Sequence, residues 1–240
     1  MKNQFFRGLW HGIPICLGYL SVSFGFGIMA VRAGLSILEA VGISVTNLTS
    51  AGQAAGVGII AAGGTLIEMA LTQLVINIRY SLMGISLSQK LDPSFTLPHR
   101  LIASFGITDE IFAVSSSQRE PVRPSYMYGL ILISFLGWSG GTLLGAAAGQ
   151  FLPSSVTDAM GIVLYGMFIA IVVPECRAGK NVLCAASVSI LFSLIFEYLL
   201  TFISGGFAVI ISAIAAAAIA ALIFPVKEDT SSGDESEVVQ

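Results

Sequence analysis

Charged side chains interrupt two otherwise apolar stretches of this sequence. Asn77 and Arg79 lie inside an apolar run at 65–87, in the motif "NIRY". Asp109 and Glu110 are adjacent in the motif "TDE". A guanidinium can bind a carboxylate through several N–H donors, and a carboxylate can bind an ammonium group or a proton. Such groups are costly in lipid, so they face protein or water and often mark a functional site.

The position of Arg79 allows a structural as well as a functional explanation. About eight residues separate it from the end of the run, so the guanidinium could snorkel to the lipid headgroups. Glu68 projects from the same face of the helix as Arg79. The two residues are eleven positions apart, about 16 Å along the helix axis, so they cannot form a direct ion pair. Polar residues occupy two faces: Gln73, Asn77, Tyr80 and Gly84 on one, Glu68, Thr72 and Arg79 on the other. This helix must therefore lie inside a bundle, in a polar packing network or beside a water-filled cavity.

The TDE motif also has two interpretations. Its carboxylates could provide the counter-charge for Arg79. Equally, Thr108 is a good N-cap residue, and Asp109 and Glu110 favour the positive end of a helix dipole. A helix that starts at membrane depth implies a broken helix or a re-entrant hairpin, which is tolerated only beside protein or a cavity.

Two further stretches combine small residues with hydrogen-bonding side chains. The first, "NLTSAGQAAGVG" at 47–58, contains Asn47, Thr49, Ser50 and Gln53. Its hydrogen-bonding capacity exceeds what helix packing needs. The second, "GWSGGTLLGAAAG" at 137–149, contains Gly141 and Thr142, and close helix packing is its better explanation. Glycine can also open a helix so that backbone groups reach a ligand.

The elements that must position these residues are membrane helices. Of the 240 residues, 55% are hydrophobic and 10% charged, whereas a soluble domain has about 25% charged residues. Several runs have the length of about twenty residues that crosses a bilayer, and they lack the alternation of a barrel. We therefore expect an all-α, polytopic membrane helix bundle. Its candidate spans are 12–31, 40–63, 65–87, 125–150, 155–174, 181–203 and 206–225.

An eighth segment, 100–117, leaves the number of spanning segments open between seven and eight. If it crosses, the positive-inside rule places the N-terminus in the cytoplasm. If it is a re-entrant hairpin, the rule favours seven crossings with the N-terminus outside. A short Gly-rich similarity between 24–36 and 138–153 is typical of duplicated halves, although shared small-residue packing explains it almost as well.

Motifs and composition argue against several classes of function. The chain has no P-loop, G-x-S-x-G or H-E-x-x-H motif, so we predict neither an enzyme nor a nucleotide-hydrolysing pump. His11 and His99 lie far apart, and the cysteines form no CxxC pair. We therefore predict no metal or other cofactor. The thiols are predicted to be free and buried; they are Cys16, Cys176 and Cys184.

The chain divides into a membrane domain, 1–225, and an acidic tail, 226–240. The membrane domain is nearly neutral and has no basic patch for nucleic acid. The tail holds five acidic residues and one lysine, a composition typical of a disordered cytoplasmic end. The predicted surroundings of the chain are therefore the lipid bilayer and water.

Four motifs together resemble one family. They are "SAGQAAG" at 50–56, "NIRYSLMGISLS" at 77–88, "TDEIFAV" at 108–114 and "WSGGTLLGAAAG" at 138–149. In this order they resemble the AzlC (azaleucine-resistance) family, the large subunit of branched-chain amino-acid exporters, over nearly the whole chain up to the tail. The chain differs from the commoner family form at Tyr80, where His is frequent, and at Ala54, where Phe commonly follows the Gln. The first difference argues against a proton relay at that position.

The resemblance implies a secondary transporter in the bacterial plasma membrane. Its substrates would be valine, leucine, isoleucine and sometimes methionine, and its partner a small hydrophobic, AzlD-like subunit. The substrate-binding residues that it implies are Gln53, Asn77, Arg79, Thr108, Asp109, Glu110, Gly141 and Thr142.

A mechanism follows from the charges of an amino acid, with two rivals. Arg79 would bind the carboxylate with help from Asn77 and Gln53, while Asp109 or Glu110 would hold the ammonium group or a coupling proton. The first rival is a structural Arg79–Asp109 ion pair that only locks the bundle. The second is a channel, or an accessory membrane subunit without a substrate site of its own.

Overall fold

The computed structural model describes residues 2–149 and 172–225, together with the single residues 151, 153, 155, 166, 169 and 170. The predicted span 155–174 lies largely outside the described residues, and the predicted tail 226–240 lies entirely outside them. The described part is all-α, as predicted. Its helices are α1 (Lys2–Arg32), α2 (Ile37–Thr46), α3 (Ala51–Ala61), α4 (Leu66–Ser88), α5 (Leu97–Phe105), α6 (Asp109–Ser116), α7 (Pro124–Ala148), α8 (Lys180–Tyr198) and α9 (Gly205–Ile223).

Helices α1 and α7 pack along their lengths and run parallel. Gly8 lies against the backbone of Tyr126 near the start of both helices, and Gly27 lies against Thr142 near their ends. A Cβ on Gly27 would come within 2.3 Å of the Thr142 carbonyl oxygen. A larger residue would force the helices apart, so the small residues at this contact allow α1 and α7 to pack closely.

Four described helices, α1, α7, α8 and α9, are long and apolar enough to cross a membrane. Helix α4 is less apolar because it carries Glu68, Gln73, Asn77 and Arg79. Its 23 residues nevertheless span about 34 Å, which suffices for the hydrocarbon core.

The predicted span 40–63 is wrong as a single crossing. The chain leaves helical geometry between α2 and α3 and folds back on itself. The Gln53 side chain donates to Ser44 Oγ across this break at 3.0 Å, whereas nine residues of continuous helix would separate them by about 13 Å. Asn47, Thr49 and Ser50 favour caps and turns over helix interiors, which explains where the break falls.

The direction of α3 shows that this segment returns to the side from which it entered. Gly52, at the start of α3, lies against Asn77 in the middle of α4. Gly64, just after α3, lies against Glu68 at the start of α4. Helix α3 therefore runs antiparallel to α4, from the middle of the membrane back to the surface. Residues 37–61 form a re-entrant hairpin, named here hairpin A.

The segment 100–117 is also a re-entrant hairpin, hairpin B, formed by α5 and α6 at residues 97–116. The loops on its two sides are joined: the Asp92 N–H donates to the Val122 carbonyl, and the Val122 N–H to that of Lys90, both at 2.9 Å. Both ends of the hairpin therefore lie on one side of the membrane. Arg7 Nη2 donates to Gln118 Oε1 at 2.8 Å, which places the start of α1 on this side too.

The basic residues give the orientation. The Glu68 carboxylate contacts Ser204 and Gly206 at the start of α9, so α9 begins at the same side as α4, opposite the start of α1. Helix α8 ends just before α9 on that side. It therefore begins on the membrane side where α1 begins. Eight described basic residues lie on that side: Lys2, Arg7, Lys90, Arg100, Arg119, Arg123, Arg177 and Lys180. On the other side the described basic residue is Arg32. By the positive-inside rule, the N-terminal side is cytoplasmic.

Neither predicted number of crossings is confirmed. Both 37–61 and 97–116 enter and return, and 155–174 lies largely outside the described residues. The two re-entrant segments also explain how the N-terminus can be cytoplasmic although 100–117 does not cross. The three cysteines are free, as predicted, but each is partly exposed instead of buried.

Candidate functional site

The tips of hairpins A and B approach each other from opposite membrane sides and meet at a cavity of about 230 Å³. Helices α1, α4 and α7 and residue Val172 complete its wall. The polar lining residues are Tyr19, Ser50, Arg79, Tyr80, Thr108, Asp109 and Glu110. The apolar ones are Leu48, Ala51, Ile76, Trp138 and Val172.

Arg79 and Asp109 form an ion pair at this cavity. Arg79 Nη1 lies 2.5 Å from Asp109 Oδ2, and the two side chains are 45% and 43% exposed. The guanidinium also lies over the Tyr80 ring, with its Cζ 5.0 Å from the ring centroid, a cation–π contact. A guanidinium has five N–H donors, so Asp109 leaves donors available for a second carboxylate. Arg79 thus faces the cavity and its predicted counter-charge, which argues against snorkelling.

Glu110 has different partners from its neighbour Asp109. The Tyr19 hydroxyl is buried, lies 2.5 Å from Thr108 Oγ1 and hydrogen-bonds to Glu110 Oε2. A tyrosine hydroxyl carries one proton, and a carboxylate is the stronger acceptor. Tyr19 therefore donates to Glu110, and Thr108 donates to the Tyr19 oxygen. Among the described residues the Glu110 carboxylate has one hydroxyl partner, Tyr19, and no basic partner, so its charge is available to a cation.

Thr108 also has the structural role that the sequence predicts for it. Its Oγ1 accepts the Ile111 N–H at 3.4 Å, which caps α6. Asp109 and Glu110 occupy the first turn of that helix. The N-cap and the counter-charge interpretations of the TDE motif therefore hold together.

The start of α3 presents polar groups to the same cavity. Ser50 and Ala51 line it, and the first N–H groups of a helix have no partner within that helix. The Thr49 and Ser50 hydroxyls are buried and have no hydrogen-bond partner in the described part of the chain. Ser50 has φ 52° and ψ −83°, a conformation that is costly for a residue with a Cβ. This strained turn directs the helix start towards the cavity.

Trp138 supplies both an apolar wall and a donor. It is buried and packs edge-on against Tyr19 at a centroid distance of 5.2 Å. Its indole Nε1–H has no acceptor among residues that the structure describes. A buried tryptophan N–H normally has a partner.

Four of the predicted substrate-binding residues do not line the cavity. Asn77 donates to Gln73 Oε1 at 3.0 Å, and Gln73 donates to the Gly52 carbonyl at 2.7 Å. These bonds fasten hairpin A to α4. Asn77 therefore helps to hold the tip of hairpin A in place and does not line the cavity.

Gln53 and Thr142 belong to a second buried network, and Gly141 lies beside it. Ser44 Oγ accepts from Gln53 and lies 2.7 Å from Thr142 Oγ1. This network joins both arms of hairpin A to α7. A Cβ on Gly141 would come within 2.1 Å of Ser23 Oγ, so Gly141 permits the close approach of α1.

Of the twelve residues that line the cavity, eight were not predicted to bind substrate, and Tyr19 and Trp138 are the most informative of these eight. Both lie in apolar runs, where an aromatic residue is ordinary. The available signal was chemical, because a hydroxyl or an indole N–H inside a membrane helix needs a partner.

Comparisons with known proteins agree with the motifs. A family model described as AzlC protein matches residues 14–152. A membrane protein of Archaeoglobus fulgidus named as uncharacterized is 33% identical over 189 residues, 78% of this chain and 82% of that protein. Inner membrane protein YgaZ of Escherichia coli is 31% identical over 190 residues, 76% of this chain and 77% of that protein.

A Helicobacter pylori membrane protein, also named as uncharacterized, is 25% identical over 175 residues, covering 71% of this chain and 75% of that protein. No solved structure matches the chain. The relatives' names and the four apolar helices place the protein in the cell membrane. Of the cavity-lining residues, all except Val172 fall within the matched range 14–152.

Proposed function

The chain belongs to the AzlC family of membrane proteins, and from this premise we propose that it is a secondary transporter that exports branched-chain amino acids, and not an enzyme. The observation that carries the proposal is the charge arrangement of the cavity. Arg79 and the start of α3 are electropositive, Glu110 is an anion without a basic partner in the described part of the chain, and apolar side chains lie between them.

The α-carboxylate of the substrate is proposed to bind at Arg79 and the α3 N-terminus. Donors on Arg79, the Ser50 hydroxyl and the first N–H groups of α3 surround one part of the cavity. Helix starts inside membrane transporters commonly bind substrate carboxylates. In this arrangement Arg79 shares its donors between Asp109 and the substrate.

The ammonium group is proposed to bind at Glu110, oriented by Tyr19. Asp109 is neutralised by Arg79, so Glu110 is the better anion for this role. Leu48, Ile76 and Trp138 would contact the aliphatic side chain. The cavity volume of about 230 Å³ is below the 300–1,000 Å³ of drug-sized ligand sites, as expected for a small metabolite. Methionine, whose apolar side chain is unbranched, is the alternative substrate.

Hairpins that enter from opposite sides offer a route to alternating access. Each tip forms one part of the cavity wall, so displacement of either hairpin would open the site to its own membrane side. Because no P-loop is present, the energy is proposed to come from a gradient. We also propose a small hydrophobic partner subunit, AzlD-like, which the family resemblance implies.

Counterflow in proteoliposomes tests the proposal. Vesicles with the purified protein and its partner subunit are preloaded with valine, and uptake of labelled valine is measured. We expect saturable exchange that leucine and isoleucine inhibit competitively. Arg79→Ala should reduce the rate at least tenfold, because a lost charge-assisted hydrogen bond costs about 1.5–3 kcal/mol. Arg79→Lys should retain part of the activity, because it keeps the charge but not the planar fork.

Arg119→Ala is the control, because Arg119 lies exposed in the loop after hairpin B and should leave exchange unchanged. Intact exchange in both Arg79 variants would contradict the proposed site. Non-saturable flux would identify a channel instead of a transporter.

A further inference from the structure

A second cavity, of about 260 Å³, lies where α3, α4 and α9 meet. Its lining shares no residue with the cavity between the hairpin tips. Most of the lining is small or apolar, but Glu68 and Thr72 are polar. These two residues are one turn apart on α4, so both side chains project from the same face.

Glu68 is a buried carboxylate without a basic partner among the residues that the structure describes. It is 4% exposed, and its Oε1 accepts from Ser204 Oγ at 2.6 Å and from the Gly206 N–H at 2.9 Å. Among the described residues no basic side chain pairs with it. The α9 dipole compensates part of this charge. A buried carboxylate is nevertheless strongly unfavourable unless it is paired.

Thr72 provides a second, independent indication of a ligand. Its side chain is fully buried, and its Oγ1 has no hydrogen-bond partner in the part of the chain that the structure describes. A lone hydroxyl in such a place is costly. The C-terminal end of α3 adds negative potential, because Ile59 and Ala62 also line the cavity. The last carbonyl groups of a helix are electronegative. The Ile59 carbonyl accepts the Gly64 N–H at 2.9 Å, but a carbonyl oxygen has two lone pairs and can bind a second partner.

We propose that this cavity binds a sodium ion. Glu68 supplies the charge, and Thr72 Oγ1 and carbonyl oxygens at the end of α3 supply further ligands. Oxygen ligands of this kind suit hard cations. One carboxylate neutralises one monovalent charge, whereas a divalent ion would leave an unbalanced charge in the membrane. If the protein is the transporter proposed above, this sodium ion is its coupling ion, and that role rests on the proposed function.

A second carboxylate near this cavity belongs to Glu197. It lines an adjacent cavity together with Gly205 and Val209, which also line the cavity of Glu68. Helices α3 and α9 contain no charged residue. Glu197 is therefore the appropriate matched control, because it is a nearby carboxylate that does not line the proposed sodium site.

Thermal unfolding of the purified full-length protein tests sodium binding without amino acid or transport. The Tm is measured while NaCl replaces choline chloride at constant ionic strength. At a sodium concentration about ten times the dissociation constant, we expect the Tm to rise by about 3–6 °C. Glu68→Gln should abolish this rise, and Thr72→Val should require a sodium concentration at least several-fold higher. Glu197→Gln should keep the full rise.

Thr72→Val keeps the side-chain shape and does not disturb the cap on α9, so it decides the question if Glu68→Gln does not fold. A Tm that is equal in sodium and choline overturns the proposal. So does an unchanged sodium response in Thr72→Val, or a Tm that responds to acidification but not to sodium. Valine exchange is a separate measurement, so its absence would contradict the proposed function and leave the sodium site standing.

Discussion

At the scale of single residues, a charge swap between Arg79 and Asp109 tests whether this ion pair belongs to a binding site or only stabilises the helix bundle. The charge-swapped pair Arg79→Asp with Asp109→Arg should restore protein yield that either single variant loses, because opposite charges again face each other. We expect valine exchange to stay below about a tenth of the wild-type rate, because the cation no longer projects from α4. The measurement is yield by size-exclusion chromatography beside the exchange rate. Recovery of both together would favour the structural ion pair.

Tyr19 offers a second test at this scale, because one hydroxyl orients Glu110. Tyr19→Phe keeps the ring that packs on Trp138 but removes the donor to Glu110. A hydrogen bond to a charged group contributes about 1.5–3 kcal/mol, so the half-saturating valine concentration should rise about tenfold or more. Tyr126→Phe is a matched control, because it loses a hydrogen bond to His11 outside the cavity. Equal effects of the two variants would count against a role of Glu110 in ammonium binding.

At the scale of an element, the strained backbone at the break in hairpin A leads to a prediction about thermal stability. Ser50 adopts a positive φ of 52°, which glycine adopts more readily because it has no Cβ. Ser50→Gly should therefore raise the Tm by about 2–4 °C, the effect of about 1 kcal/mol in a protein of this size. Exchange should nevertheless fall, because the cavity loses the Ser50 hydroxyl.

Ser50→Ala provides the comparison, because it removes the hydroxyl but keeps a Cβ in the strained conformation. It should lower exchange without raising the Tm. A lower Tm in Ser50→Gly would show that the conformation of this turn is not a source of strain.

Local signals predicted some of these elements, and long-range contacts explain the rest. Thr108 was recognisable as an N-cap, and the spacing of Glu68 and Arg79 correctly required separate partners. The return of hairpin A is evident from the Ser44–Gln53 hydrogen bond between its two arms, a contact that hydropathy does not encode. The partner of Glu68 is the start of α9, more than a hundred residues away, and no periodicity within α4 could indicate it.

At the scale of the whole molecule, the two hairpins form an opposed pair around one cavity. Hairpin A enters from the side of Arg32 and hairpin B from the side of Arg7. Charge counting alone failed to find this arrangement, because it treated hairpin A as a crossing. With eight crossings, the loops at both ends of α4 were then placed on the wrong side; with seven crossings, the two ends of α1 were. The contact of Arg7 with Gln118 restores the correct assignment. Residues 155–174 remain a predicted span.

Cysteine labelling in intact cells distinguishes this topology from both predicted alternatives. In a protein without native cysteines, Ser36→Cys, Ala62→Cys and Ser94→Cys place single thiols in exposed loops or helix ends. We expect a membrane-impermeant maleimide to label positions 36 and 62 from outside, and position 94 only after permeabilisation. The physical reason is that hairpin A enters and leaves at the outer side, whereas hairpin B does so at the cytoplasmic side.

Each of the two predicted topologies would give a different labelling pattern. Eight crossings with a cytoplasmic N-terminus would protect position 62 and expose position 94, because 40–63 would then cross. Seven crossings with the N-terminus outside would protect position 36. Labelling of Ser117→Cys should match that of position 94, since the joined loops at Asp92 and Val122 hold both ends of hairpin B at one surface. Different accessibility at positions 94 and 117 would contradict the re-entrant assignment directly.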